Sequence, residues 1–182
     1  HRVDRRQRQM CIRDSTYSDN LRIELIADGE QAGSWGSTTN TNWGMIDAAV
    51  SSKATINITT DKTSGSPQDI TISQGAIGTG TRAFIELTDN GDKGATQHFR
   101  LTPDNRERLI YIKNSLTTQA AKVFQTTNFD DTKDAQIANG ETALVYFDGG
   151  GASSATATKI LDAPIVSTLS LIHISEPTRP LY

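Results

Sequence analysis

The stretch "ATINITT", Ala54 to Thr60, alternates polar and apolar side chains and places Ile56, Ile58 and Thr60 on one face. A period of two is the mark of a half-buried strand, because successive side chains of an extended chain point to opposite sides. The pattern recurs downstream. "DITIS" (Asp69 to Ser73) pairs Ile70 with Ile72, and "RAFIELT" (Arg82 to Thr88) aligns Ala83, Ile85 and Leu87. "QHFRL" (Gln97 to Leu101) sets Phe99 and Leu101 against His98 and Arg100. "RLIYIKN" (Arg108 to Asn114) is apolar on both faces, which predicts a central strand. "KVFQTT" (Lys122 to Thr127) and "TALVYF" (Thr142 to Phe147) add two more strands. Between them lie turn-forming segments: "DKTSGSP" (Asp61 to Pro67) as a loop or hairpin, "DNGD" (Asp89 to Asp92), "ANGE" (Ala138 to Glu141) and "DGGG" (Asp148 to Gly151). Short strands at such spacing predict a mainly β fold, with an antiparallel β-sandwich or jelly-roll-like domain over residues 54–168.

Upstream, the period changes. "LRIELI" (Leu21 to Ile26) reads as a strand, and "ADGE" (Ala27 to Glu30) as a turn. "GEQAGSWGSTTNTNWG" (Gly29 to Gly44) then holds both tryptophans of the chain in a polar, glycine-containing run. "NWGMIDAAVSS" (Asn42 to Ser52) predicts a short helix with Trp43, Ile46 and Val50 on one face, capped by Thr39, Asn40 or Thr41. Residues 16–53 are therefore expected to form an N-terminal strand–loop–short helix arm. Trp35, Trp43, Ile46 and Val50 are its structural or interface candidates. Large aromatic side chains favour packing, here within the chain or across a subunit boundary, over stacking on sugars.

Both ends of the chain read differently. "RRQRQMCIRDS" (Arg5 to Ser15) and "LSLIHISEPTRP" (Leu169 to Pro180) resemble translations of a transposase-type sequencing-library adapter, in the orientations expected at two ends of a DNA fragment. Residues 1–15 and 169–182 are accordingly set aside as adapter-derived. This removes the chain's one cysteine, Cys11, and two of its three histidines, leaving His98. It also removes six of 18 basic and three of 21 acidic residues, so the remainder is more acidic than the whole chain's net −3. An acidic balance gives no support for nucleic-acid binding, and without cysteine there is no disulfide framework or thiolate metal site. No apolar run is long enough to insert in a membrane, so a protein made in the cytoplasm is the default.

Chemistry-bearing constellations are sparse. His98 has no nucleophile motif beside it and reads as a surface or contact histidine. Asp130, Asp131 and Asp134 with Asn128 form a loose oxygen cluster but lack the spacing of a calcium loop. Glu86, Asp89, Asp92 and Asp104 would need to converge to serve as glycosidase carboxylates. "GTGTR" (Gly78 to Arg82) lacks the lysine and helix of a phosphate loop. The sequence therefore predicts no catalytic, cofactor-binding or metal-binding residues, and no enzyme.

The segment from Thr16 to Val50 resembles the start of tail-fibre or related tail structural proteins of tailed bacteriophages, of the kind found in marine viral metagenomes. Their pattern is an apolar strand, G-E-x-x-G-T-W-G-x-x-T-N-x-N, and a short helix. Gly29, Glu30, Gly33, Trp35, Gly36, Thr39, Asn40 and Asn42 match, while Ser34 stands where Thr is usual. "RAFIELT", "LTP", "RLIYIKN" and "NGETALVYFDG" follow the family's order more weakly. The resemblance implies a virion component, made in the host cytoplasm and forming a homotrimer with other phage tail proteins as partners. It implies a host-attachment role toward a surface glycan or protein receptor. It also implies that the natural chain starts near Thr16 and that a distal part follows Thr168. A carbohydrate-binding module and, behind it, a tail-associated depolymerase are the alternatives.

Overall fold

The computed structural model describes residues 16–27 and 33–163. The adapter-like ends, residues 164–168, and Gly29 and Glu30 of the arm motif lie outside these residues. The chain runs β1 (Thr16–Tyr17), β2 (Glu24–Leu25), α1 (Trp35–Ser51), β3 (Lys53–Ile58), β4 (Gln68–Thr71), a 3₁₀ turn (Thr79–Thr81), and β5 (Phe84–Asp89). It continues through β6 (Gln97–Thr102), β7 (Glu107–Ser115), β8 (Ala121–Phe124), β9 (Ala135–Ile137), β10 (Thr142–Asp148) and β11 (Ala157–Ala163).

The fold is mainly β, as the alternation predicts, but the sheets are mixed rather than antiparallel. One sheet has the order β11–β10–β7–β5–β3 and the other β4–β6–β8–β9, beside the small β1–β2 pair. From β3 to β8 each strand lands in the sheet opposite to its predecessor. Strands that become neighbours therefore run the same way: β3, β5 and β7 pair in parallel, as do β4, β6 and β8. Within these two sheets antiparallel pairing enters only where the chain turns back, at β8–β9, β7–β10 and β10–β11. The alternation identified the faces correctly; it carries no information about which strand lies alongside. "DNGD" shows the difference. Gly91 has φ +135 in that turn, yet the turn links β5 to β6 in opposite sheets and closes no hairpin.

The inward residues of both sheets meet in one hydrophobic cluster. Ile56 and Ile58, Ile85 and Leu87, Ile110 and Ile112, and Val145 and Phe147 come from one side. Ile70, Phe99 and Leu101, Val123 and Ile137 come from the other. Phe99 and Leu101 are fully buried, with His98 and Arg100 on the outer face, as their alternation requires.

Crossovers bring backbone polar groups under cover, and three buried amides satisfy many of them, while Thr79, Thr81 and Arg108 serve the β4–β5 connection. Asn114, wholly buried at the end of β7, donates from Nδ2 to the Gln119 carbonyl at 2.9 Å and the Ile137 carbonyl at 3.0 Å. Its Oδ1 accepts from the Leu116 amide at 3.1 Å. Its backbone carbonyl accepts from Gly140 N and its amide donates to the Glu141 carbonyl. Gln125 donates to the Pro103 and Arg106 carbonyls and accepts from Gly149 N. Gln97 donates to the Ala95 carbonyl and accepts from Lys62 N.

Gly149 is required twice over. Its φ is +66, and a Cβ there would lie 2.9 Å from the Arg106 carbonyl carbon. The Asn114 knot makes a direct prediction. Asn114→Ala strands the buried Leu116 N–H, the buried Ile137 carbonyl and the half-buried Gln119 carbonyl, and is expected to cost about 3 kcal/mol. Urea unfolding should show a lower midpoint with an unchanged slope; an unchanged midpoint would exclude the role assigned to the amide.

Candidate interaction surface

α1 begins at Trp35 rather than Asn42, so both tryptophans lie on the helix and Thr39, Asn40 and Thr41 sit inside it instead of capping it. Gly33, at φ +90, precedes the first turn, and the Ser37 and Thr38 amides donate to the Ser34 carbonyl. Sequence reading placed the start at the densest run of capping residues. Those residues are weak helix formers, but the helix tolerates them where tertiary contacts hold it.

Asn42 supplies one such contact. Its Oδ1 accepts from Glu24 N at 3.1 Å and its Nδ2 donates to the Glu24 carbonyl at 2.9 Å. The amide thus pairs with β2 as a neighbouring strand would, and ties the arm to the helix. At the other end Ala83 N donates to the Ala48 carbonyl, and Arg82 Nη1 donates to Ser52 Oγ at 3.1 Å.

Met45 and Ala48 are the helix residues buried against the rest of the chain. Trp43, Ile46 and Val50, expected on one face, do lie on one face, which they share with Trp35 and which is exposed. Positions 35, 43, 46 and 50 fall within about a quarter-turn of one another at 3.6 residues per turn. Met45 is the large side chain on the docking face, and a Cβ on Gly44 would make an ordinary van der Waals contact with Ile77 at 3.8 Å. The two tryptophans, Ile46 and Val50 point the other way, so α1 carries two apolar faces and covers only one.

A second uncovered surface lies on the outside of the five-stranded sheet. Register sets Phe84 opposite Tyr111, Tyr111 opposite Leu144, and Leu144 opposite Leu161. Leu109 lies opposite Tyr146 in the next outward row. Leu109, Tyr111 and Leu161 are exposed, and the other three are half-buried. β7 is central, as its two apolar faces predict, but only Ile110 and Ile112 are covered.

A polar row bounds this band. Glu86 sits there between Lys53 and Lys113, at 3.4 Å from Lys113 Nζ, and its Oε1 accepts from Ser115 Oγ at 2.8 Å. The ammonium of Lys53 is the largest influence on Glu86, and Ser115 and Lys113 reinforce it against partial burial. Together they hold its pKa down at about 2.

The other candidate groups are engaged separately. His98 Nδ1 lies 3.2 Å from the Lys62 carbonyl, and its ring meets Phe129 edge-on at 4.7 Å. Asp89 accepts from the amide and hydroxyl of Thr117, Asp92 from Thr118, and Asp104 from Thr127 at 3.0 Å. Asp130 is held by Thr132 and Lys133, while Lys122 lies between Asp131 and Asp134. Among the described residues no three His, Cys, Asp or Glu side chains are grouped to hold a metal ion, and no helix is long and apolar enough to cross a membrane.

An open cleft of about 560 Å³ lies between the β8–β9 and β10–β11 loops, lined by Thr126, Asn128, Phe129, Asp130, Lys133 and Ser153 among others. Thr126 Oγ1, buried beside it, has no hydrogen-bond partner. Sequence reading missed this cleft, because its walls come from loops brought together only by the hairpins.

Comparison with known protein families, curated proteins and solved structures returned no match.

The Glu86 cluster predicts a pH dependence. A carboxylate whose folded pKa is depressed contributes stability fully above its unfolded value and loses it as pH falls through the folded value. For Glu86 that window runs from about 4.5 down to about 2. With its side chain 18 % exposed and Lys53 half in solvent, the contribution is about 1–2 kcal/mol after screening. Thermal melts across this window should show wild type losing its advantage over Glu86→Gln as the pH drops. A constant gap would exclude the assignment.

Proposed function

We propose that this chain is a structural component of a bacteriophage virion, a tail-fibre or fibre-adaptor segment that assembles with copies of itself and with other tail proteins and contributes to host attachment. The single observation that carries the reading is the exposed Trp35–Trp43–Ile46–Val50 face of α1. Trp35 belongs to the phage-like motif, and Trp43, Ile46 and Val50 belong to the short helix that follows it in that pattern; together they build an exposed apolar surface. A helix carrying one charged residue, Asp47, and two outward tryptophans is suited to burial against protein. The role is mechanical and non-catalytic, with a homotrimer as the assembly, a virion as the location, and neither nucleic acid nor membrane as a partner. In the same reading the β-domain is the sandwich-like body of such a segment.

Long-read sequencing of the source DNA through this reading frame tests the assignment. Flanking genes for virion proteins are expected, together with loss of the adapter-like ends from the continuous frame. A metabolic or chromosomal housekeeping neighbourhood would exclude it.

One observation favours a second reading, a module that binds host-surface glycans. The β8–β9/β10–β11 cleft offers hydroxyl, amide and carboxylate groups beside Phe129. Asp130 stays ionised there because the Thr132 hydroxyl and amide, then Lys133, hold its pKa down at about 2. A glycan array probed with the labelled chain should give hits that weaken in Asn128→Ala. An array without signal above background would remove this reading for the segment described.

A further inference from the structure

Two apolar surfaces of this chain are left open, and neither can cover the other within one molecule as folded. On α1, Trp35 is 62 %, Trp43 64 % and Val50 74 % exposed, with Ile46 beside them. On the sheet, Leu109 is 50 %, Tyr111 48 % and Leu161 58 % exposed, with Phe84, Leu144 and Tyr146 filling the gaps. We infer that the α1 face of one copy docks on the outer β5–β7–β10–β11 face of a second copy. The inference rests on the self-assembly part of the proposed function and assigns the surfaces that perform it.

Dimensions fit. α1 is about 25 Å long and 10 Å wide. The band crosses four strands, about 14 Å at the usual interstrand spacing. Helix on sheet is one of the few ways that elements with apolar faces stack in layers. The open part of the helix face amounts to about 360 Å², and that of the band to about 330 Å², taking roughly 200 Å² per aromatic and 100 Å² per aliphatic side chain. One contact then buries about 700 Å² of apolar surface. If apolar atoms form about 60 % of an interface, the total comes to about 1,150 Å², at the low end of the range for specific association.

The choice of partner follows from coverage. Helix-to-helix pairing leaves the sheet band open, and sheet-to-sheet pairing leaves the tryptophans open. Only a helix-to-sheet contact covers both with a single kind of interface. Such a contact is heterologous, so each copy donates one helix and accepts another, and the series ends when the ring closes. The charges agree. The band itself contains no ionisable group other than the two tyrosines, its rim carries Lys53 and Lys113, and the incoming helix brings only Asp47.

A complementation experiment on the full 182-residue chain tests the inference. One variant removes the helix face, Trp35→Ser with Trp43→Ser. The other removes the sheet face, Leu109→Lys with Tyr111→Lys. All four positions point to solvent, and circular dichroism with thermal melting verifies folding of each variant. Light scattering at tens of micromolar is expected to show wild type as an oligomer and each variant alone as a 19.7 kDa monomer. The apparent dissociation constant should rise by about 30-fold or more, as for loss of interface hot spots. Mixed in equal amounts, the two variants should form a 1:1 dimer through the one intact helix and the one intact sheet face. Retained oligomers in the sheet variant, a mixture that stays monomeric, or a monomeric wild type would each overturn the inference. None of these masses bears on the genes that flank the reading frame, so the virion assignment fails or stands separately. If a sheet variant fails to fold, Tyr111→Ser is used in its place with the same expected outcomes.

Discussion

The constraint on which this structure depends is backbone hydrogen bonding at the points where the chain changes sheets. A hairpin satisfies its own polar groups; a crossover does not. Between β3 and β8 the chain crosses at every connection. Many of the carbonyls and amides stranded there are bonded by side-chain amides that lie inside the protein, with Thr79, Thr81 and Arg108 serving the β4–β5 connection. Asn114 is the clearest case, because one residue joins the end of β7, the approach to β8, the end of β9 and the turn into β10. Gln125 does the same for the β6–β7 and β10–β11 loops. An amide suits this position because it offers two donors and an acceptor without a charge to desolvate. Neither hydroxyl nor carboxylate side chains could replace all three bonds.

How much of this was legible depends on what each sequence signal encodes. Alternation encodes faces, and the faces of β3, β5 and β6 follow Ile56/Ile58, Ile85/Leu87 and Phe99/Leu101 as read, whereas β7, apolar on both sides, gave no sign that Ile110 and Ile112 would be the inner pair. Alternation does not encode neighbours, so the parallel pairing was invisible. The short strand Ala135–Ile137 has only two inward residues and no turn of its own type before it, and Ala157–Ala163 begins with small residues that carry little contrast. Both escaped notice for that reason. In the arm, helical periodicity was correctly detected at Trp43, Ile46 and Val50, but periodicity does not say whether an apolar face packs within the chain or outside it. The structure docks α1 through Met45 and Ala48. The face that Trp35 shares with those three residues was therefore legible as a set, and the side it faces was not. "RLIYIKN" carried the matching signal, since a strand apolar on both sides asks for two covers and the chain supplies one.

Charge on the outer sheet is arranged around that uncovered band rather than across it. At its border Glu86 pairs with both Lys53 and Lys113 and accepts from Ser115, which leaves the rim with an excess of one positive charge. Each of the four is exposed enough to remain hydrated, yet together they leave no unpaired charge pointing over the apolar rows. The border thus limits the extent of the patch as a protein surface would limit an interface, with polar groups at the margin and aromatic and aliphatic groups at the centre.

The parallel pairing of β3 with β5 has a consequence for the order in which the molecule can form. Lys53 meets Phe84, and Phe84 in turn meets Tyr111. On a ribosome the chain appears from its N-terminal side, so β3 waits for some thirty residues of synthesis before its first neighbour exists. Hairpins such as β10–β11 close locally and need no such delay, whereas distant pairings must first overcome the entropy of closing long loops. Throughout that interval Ile56 and Ile58 have no sheet to join, and α1 has finished being made beside them with its tryptophans outward. The helix that carries the most exposed apolar side chains is thus made before any strand of the two large sheets.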